Sequence, residues 1–576
     1  MYARVKRVRR GDQMHEYVQL VEGRRIDGKV RQRVVATLGR LDELKATGQL
    51  DRFAGAFARL DPPPVGTRRE VGPLLLVAHY LKRLRLVELV DEVVPMRGRS
   101  LLTHGEVVAA LVANRLAAPA PLYDIAGWAS SAAVGELLDV PAGLLNDDRL
   151  GRALDAVAAR AEDLRGRLLL AALHRCDVDA ARLHLDLTAV RFAGGYEDST
   201  LVGKGWSADR SIARQVKTIQ ASTKEGVALY FRAQPGARSE LPVFMSTTET
   251  LAASLPPGLV VVADSGLGYL QNLCVLNARH VGFVVPLRAD TGWAARFRAD
   301  VPGGLDALPR LDYACARQSG LGPHRRTSWK GLLRPFPVTA NDGTAHQLRI
   351  AYIFSSEEAA SVAGGRERAL VKTEQALHRV RNGLGGRYYK TKKQVDDKVA
   401  QILTGTLNQL ITVHTATRAG KPTISWARDK TAIADAAALD GLYPLATNLP
   451  DPPGSALTAL DVLKTYKDQW IVEQRHRDLK QSLRVRPVFL HNDNRIEALV
   501  AVIGIALLIF GLIEAELRAA LGDNTAIPAI LPEGRAARPT ARAALVAFDG
   551  LCATYTPTGL VLDRLSKTQR IILALL

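Results

Sequence analysis

Sixteen consecutive apolar or glycine residues, Ala498 to Ile513, stand between Glu497 and Glu514. A helix that crosses a bilayer needs about 20 such residues, so the run predicts a helix covered by protein on every side. Burying such a helix requires layers of other structure, and 576 residues are too many for one hydrophobic core. No charged stretch followed by an apolar one opens the sequence, so neither a secretory signal nor a membrane partner is expected. Cys176, Cys274, Cys315 and Cys552 are scattered, without metal-ligand spacing, which suits a reducing cytoplasm.

Two segments predict strands for that helix to cover. In Leu183-His184-Leu185-Asp186-Leu187-Thr188 the alternation of a half-buried strand puts Asp186 and Thr188 on the face opposite Leu185 and Leu187. Leu259 to Ala263 is a continuous apolar run of the kind covered on both sides, and it ends in Asp264, Ser265 and Gly266. Ligands bind beyond the carboxyl ends of strands in open α/β sheets, which singles out Asp264; a turn or helix-capping aspartate is the other reading. A third acid lies between Tyr466 and Lys480. Read as one helix, the stretch sets Tyr466, Glu473 and Lys480 at seven-residue steps, almost two turns apart, so they face one way. An acid beside a phenol and cations suits metal and phosphate binding, whereas ordinary charge pairs on a solvated helix would give the same letters.

The spacing of the acids sets the domain plan. Asp186 to Asp264 covers 264 − 186 = 78 residues, enough for two further strands, while Asp264 to Glu473 covers 473 − 264 = 209. A helix near Gly268 to Arg279 and a strand at Val281 to Leu287 use only the start of the longer interval, so the rest predicts an inserted domain. In it, Ser361 to Arg381 reads as a charged helix, and Ile350 to Phe354 and Pro422 to Trp426 as strands. Two basic, aromatic-bearing stretches fall there, one with Arg325, Arg326 and Trp329, the other with Arg387, Lys390 and Lys392. Cations beside aromatic faces suit phosphates and unstacked bases, with Trp293, Trp329 and Trp426 equally placed to stack. The formal charge of +19 and pI near 9.9 favour a polyanionic partner. Eleven Lys or Arg fall in the first forty residues, Pro62 to Pro64 marks a linker, and 71–173 is helical in pattern, either a reader of DNA sequence or a packing domain.

The three carboxylates resemble the Asp, Asp, Glu triad of the DDE transposases. More narrowly, the chain resembles bacterial insertion-sequence transposases with a Tyr, Arg, Glu, Lys pattern around the third acid, here Tyr466, Gln469 in place of Arg, Glu473 and Lys480. Gly203 to Arg210, Val216 to Ile219, Val227 to Gly236, Asp440 to Asn448, Arg486-Pro487 with Phe489, and His491 to Ile496 are also similar, with Leu499 where the family often has His. So are Val30 to Leu41 and Asn146 to Gly151 near the amino end. The resemblance implies an α/β ribonuclease-H-like catalytic core, a mixed sheet flanked by helices, interrupted by a large β-containing insertion and preceded by a helical domain. It divides the chain into a basic arm (1–65), a helical end-binding domain (66–178), the first part of the core (179–288), the inserted domain (289–450), the second part with the glutamate helix (451–516) and a helical tail (517–576). It implies that Asp186, Asp264 and Glu473 hold two Mg²⁺ ions, replaceable by Mn²⁺, with Asp186 bridging both. Tyr466, Gln469, Lys480 and Arg475 would contact DNA. The expected activity is cleavage at terminal inverted repeats and joining of the 3′-hydroxyl ends to target DNA, by a homodimer that pairs two ends. A ribonuclease-H-like nuclease without joining and an inactive DNA-binding derivative are the alternatives.

Overall fold

The computed structural model describes residues 2–10, 13–26, 29–47, 49, 65–96, 100–206, 211–315, 318, 322, 325–468, 470–481, 483, 490–522 and 526–576. Gln469, the Pro62–Pro64 linker and the Arg486-Pro487 and Phe489 motif lie outside them. The chain forms two compact units, Met1–Val243 with Trp470–Leu576, and Phe244–Gln469.

The first unit opens with β1 (Tyr2–Arg10), β2 (Gln13–Ile26) and β3 (Lys29–Arg40), an antiparallel sheet in that order. A short strand, β4 (Arg68–Glu70), then leads into a helical block that includes His104–Ala117 and Asp147–Ala158. Both helices begin on side-chain caps: Thr103 and Glu106 form a reciprocal capping box, and Asn146 accepts from the Arg149 amide. Next come β5 (Arg182–Arg191), β6 (Gly203–Trp206), β7 (Ile212–Thr223) and β8 (Ala228–Pro235). All pairings are antiparallel. β7 carries β5 along one edge and shares the other between β6 and β8.

In the second unit, β9 (Val260–Ala263) and β10 (Gly282–Pro286) pair in parallel, joined by the helix Leu270–Ala278. The expected helix and strand after Asp264 are therefore present. The sheet continues through β11 (Arg310–Leu311), β12 (Trp329–Thr339) and β13 (Ala345–Ser355). β14 (Ile411–Arg418) and β15 (Lys421–Arg428) form a separate hairpin, and β16 (Leu442–Thr447) returns to give the order β11-β12-β13-β16-β10-β9. The charged helix is longer than predicted, Ser356–Asn382, because Ser355 caps it on the Glu358 amide. The helix Ala459–Lys467 closes the unit by packing Val462 and Leu463 against Val262, Val284, Ala351 and Leu445. Parallel and antiparallel strands flanked by helices make this a mixed α/β fold.

The chain re-enters the first unit through the helix Trp470–Gln481 and then the 29-residue helix Asp493–Leu521. Among the described residues this second helix is the one long and apolar enough to cross a membrane, and its apolar run is buried in protein. The residues after it add β17 (Cys552–Thr556) and β18 (Gly559–Leu562), which complete a small sheet on β4. Asn492 caps the long helix, and Asp493 accepts from Thr200 and Leu201 amides and from the Ser199 hydroxyl. Its buried face includes Gly511, where an added Cβ would lie 2.7 Å from the Gly226 carbonyl oxygen and 2.8 Å from Val227 Cα. Backbone cannot retreat as a side chain can. Gly511→Val is thus expected to cost about 1–3 kcal/mol by overpacking, read as a lowered midpoint of urea unfolding.

Candidate functional site

The first unit brings one predicted acid onto the helix of another. β5 presents Asp186 and Thr188 on one face, as its alternation requires, and the helix Trp470–Gln481 runs beside it. His476 Nδ1 lies 3.1 Å from Asp186 Oδ2, and Lys480 Nζ donates to Thr188 Oγ1 at 2.6 Å. Two strand residues advance about 6.6 Å and four helical residues about 6 Å, so strand and helix stay in step between the two contacts. Asp186 Oδ1 also accepts from the Leu187 amide at 2.8 Å. Glu473 sits three residues before His476, one turn from the contact with Asp186. The exposed stripe of the helix is Trp470, Glu473, Arg477 and Lys480, while Val472, Arg475, His476, Asp478 and Leu479 are buried. Among the described residues the Glu473 carboxylate has no hydrogen-bond or ion-pair partner.

Arg475 is not a surface cation. It is 1% exposed, and its guanidinium donates to the Gly226 carbonyl at 2.6 Å, to Asp478 Oδ2 at 2.8 Å and to Glu514 Oε1 at 2.8 Å. Glu514 also takes Arg518 at 2.7 Å and the Ala541 amide at 3.0 Å. Burial pushes the Asp478 carboxyl above its ordinary range even with Arg475 beside it. The expected DNA contact at Arg475 is therefore corrected to a structural one: its three guanidinium nitrogens are turned inward, to Asp478 on its own helix and to Gly226 and Glu514 elsewhere.

The second unit holds Asp264 at the end of β9, where Oδ1 accepts from the Gly266 amide at 2.8 Å. Tyr466 is on the helix Ala459–Lys467, packed on the core of this unit 6.2 Å from the Tyr443 ring. A single helix from Tyr466 to Lys480 is thus corrected to two. The first ends at Lys467 on a cap at Asp468, and the anchoring of Tyr466 and Lys467 over Tyr443 and Trp329 overrides the seven-residue pattern. Only Glu473 and Lys480 share a helix face.

Trp329 also departs from expectation. It is 6% exposed, edge-on to Tyr313 at 5.3 Å, with Lys467 Nζ 4.8 Å above the ring. That burial corrects it from a DNA-facing aromatic to a core one. Trp426 packs edge-on against His378 and under Arg381. Arg325 and Arg326 are exposed just before β12. Arg387 and Lys390 are exposed in the connection after the helix Ser356–Asn382, and Lys392 opens the next helix, paired with Asp396 at 2.7 Å. Two groups at the Asp186 site were missed by sequence reasoning. His476 carries no sequence signal without knowledge of what it faces. Arg477 does: four residues after Glu473 and three before Lys480, it lies on their stripe.

Among the described residues no group of three His, Cys, Asp or Glu side chains gathers into a metal-binding cluster; the pair on contacting elements is Asp186 and Glu473.

Comparison with known protein families assigns most of the length. Residues 3–62 match the amino-terminal domain of IS1634 family transposases, 67–164 a domain of unknown function (DUF4277), and 182–509 the transposase DDE domain. The last match covers more than half of the chain. No curated protein matches it.

Proposed function

The chain belongs to the DDE transposases, of the IS1634 family, and we propose from that premise that Asp186, Asp264 and Glu473 are its catalytic acids. The enzyme binds and transposes DNA. In this reading it cleaves at the ends of its own insertion sequence and joins the freed 3′-hydroxyls to target DNA, working as a homodimer in the bacterial nucleoid. The core is ribonuclease-H-like, with the domain limits given above, and Tyr466, Gln469, Glu473 and Lys480 form a variant of the Tyr, Arg, Glu, Lys pattern. The observation that carries the reading is the unpartnered, exposed Glu473 carboxylate on a helix latched to the Asp186 strand.

The donor chemistry fits a hard divalent cation. All three side chains offer only carboxylate oxygens, which suits Mg²⁺, with Mn²⁺ as a substitute, better than zinc. A pair of such ions would polarise the phosphodiester and lower the pKa of the attacking water. The chain's own part is positioning. His476 fixes the rotamer of Asp186, and Lys480, held at Thr188, keeps an ammonium beside the acids where a phosphate would arrive. Arg477 adds a cation on the Glu473 stripe. Water would then hydrolyse one strand at the element's end, and the freed 3′-hydroxyl would attack a target phosphorus in a second in-line step, forming the new phosphodiester as the target strand's own 3′-oxygen leaves.

The test uses the full chain, a supercoiled plasmid bearing the nucleotides that flank its gene, and separately pre-cut ends with a target plasmid. Cleavage in Mg²⁺ or Mn²⁺, none in EDTA, and joining of the pre-cut ends are expected. Cleavage without joining would instead establish a nuclease, and end binding without cleavage an inactive derivative.

A further inference from the structure

The inserted part of the second unit has a hydrophobic core of its own. Leu370, Leu377, Val395, Leu410, Ile411 and Ile424 pack together, and none of them belongs to the sheet's cluster of Val262, Val284, Ala351 and Leu445. Two passages of chain join these cores. The helix Ser356–Asn382 leaves the sheet after β13, and the stretch from Asp429 to Asp440, with the helix Lys430–Ala437 in it, returns to β16. The outgoing helix is fastened at its root: the Ser355 amide donates to the Gly441 carbonyl at 2.9 Å, and a Cβ on Gly441 would lie 2.7 Å from the Ala359 Cβ. From Leu370 onward it belongs to the inserted core.

Gly364 and Gly365 stand between the two attachments, inside the helix. Each glycine lowers the tendency to be helical by about fivefold relative to alanine, and neither a positive φ nor a close neighbour requires it here. An added Cβ would meet only the Arg368 guanidinium, 3.3 Å from Gly364 and 3.9 Å from Gly365. Adjacent weak positions between two separate cores are where a helix bends. One tie crosses at the same level: Arg366 donates to both Asp440 carboxylate oxygens, at 2.7 and 2.5 Å, and holds the outgoing passage to the returning one. Beyond the glycines the charge is strongly one-sided. Residues 368–437 hold 13 Lys or Arg against 5 Asp or Glu, so 13 − 5 = 8 of the chain's 19 net positive charges lie there. No acid interrupts 379–393, where Arg379, Arg381, Arg387, Lys390 and Lys393 are exposed. The helix runs 382 − 365 = 17 residues past the glycines, about 26 Å, so a bend of about 20° there carries its far end about 9 Å.

We propose that residues 368–437 form a basic arm hinged at Gly364 and Gly365, which swings onto DNA when the tie between Arg366 and Asp440 opens. The proposal rests on the transposase reading above and adds a conformational step to it. DNA shifts the arm because the bent form alone brings these cations to its phosphates, and a ligand moves an equilibrium only by such a difference in contacts.

A spin-label distance in the full-length protein tests it. One label sits at Tyr388→Cys on the arm, where the side chain is 74% exposed, and the other at Asp306→Cys, exposed beside β12, with Cys315 and Cys552 replaced by serine. This parent should give a broad distance distribution that shifts by about 5 Å or more, through the leverage of the helix, when a duplex of the nucleotides flanking its gene is added. Gly364→Ala with Gly365→Ala should give one narrow distance that DNA no longer moves. Its melting temperature should be no lower than the parent's, and its strand cleavage about tenfold slower. Arg366→Gln with Asp440→Asn keeps the net charge and should move the DNA-free distribution towards the DNA-bound one. A narrow distance in the parent that bound DNA leaves unchanged overturns the hinge and leaves the transposase reading standing. An alanine pair whose distance still shifts with DNA does the same. A parent that binds no duplex refutes both readings.

Discussion

Glu473→Gln is expected to abolish strand cleavage while leaving binding to the element's ends within about twofold of wild type. The substitution keeps the shape of the side chain and removes its charge and one hard oxygen donor. A loss of about 4 kcal/mol of transition-state stabilisation, the several kcal/mol that charge neutralisation at a phosphoryl group supplies, is a fall of roughly 10³-fold in rate. Stability should not change, because the Glu473 side chain is exposed and has no partner among the described residues. The comparison is made by nicking of the plasmid substrate, with a melting curve and an end-binding titration on the same preparation. Nicking at wild-type rate would remove Glu473 from the catalytic set. Weakened melting together with lost activity would mark it as a structural residue.

The second large effect is one of stability. Arg475→Ala strands the nearly buried Asp478 carboxylate, removes one of the two arginines on Glu514, which keeps Arg518 and the Ala541 amide, and orphans the Gly226 carbonyl. Breaking a buried ion pair from one side costs about 3–5 kcal/mol, most of it the uncompensated charge left behind. Arg475→Met combined with Asp478→Asn should recover part of that loss, since it removes both charges and retains the bulk, while Glu514 stays paired with Arg518. Denaturant midpoints of the single and double variants test the coupling. The salt dependence of DNA binding should be the same in the double variant as in wild type, because Arg475 meets no phosphate. A reduced salt slope would return it to the DNA surface.

The contrast between Arg475 and Arg477 shows what a sequence conveys about such a site. Both are arginines two residues apart on one helix, and their letters carry equal electrostatic promise. One is locked to Gly226 and Glu514, which lie 249 and 39 residues away along the chain; the other is exposed. Periodicity ranks the faces of a helix only when its apolar stripe is clear, and here charged residues stand on the buried side as well. Local patterns did better where burial and chemistry agree. The alternation around Asp186, the apolar run ending at Asp264 and the buried helix after Glu497 are each legible because a strand or helix covered by protein leaves its period in the letters. Tyr466 was misjudged for the opposite reason: its place depends on Trp329 and Tyr443, whose proximity only the folded sheet creates. Trp329 misled likewise, since a tryptophan among arginines looks like a base-stacking surface until its neighbours are known.

The latch between β5 and the helix Trp470–Gln481 has a consequence for how such genes can drift. His476 on Asp186 and Lys480 on Thr188 match a step of two in one element to a step of four in the other. Gain or loss of a single codon between those two histidine and lysine positions would swing everything downstream by about 100° around the helix axis, and no side-chain exchange could restore the match. Related sequences aligned over this segment should therefore tolerate changes of letter but not gaps.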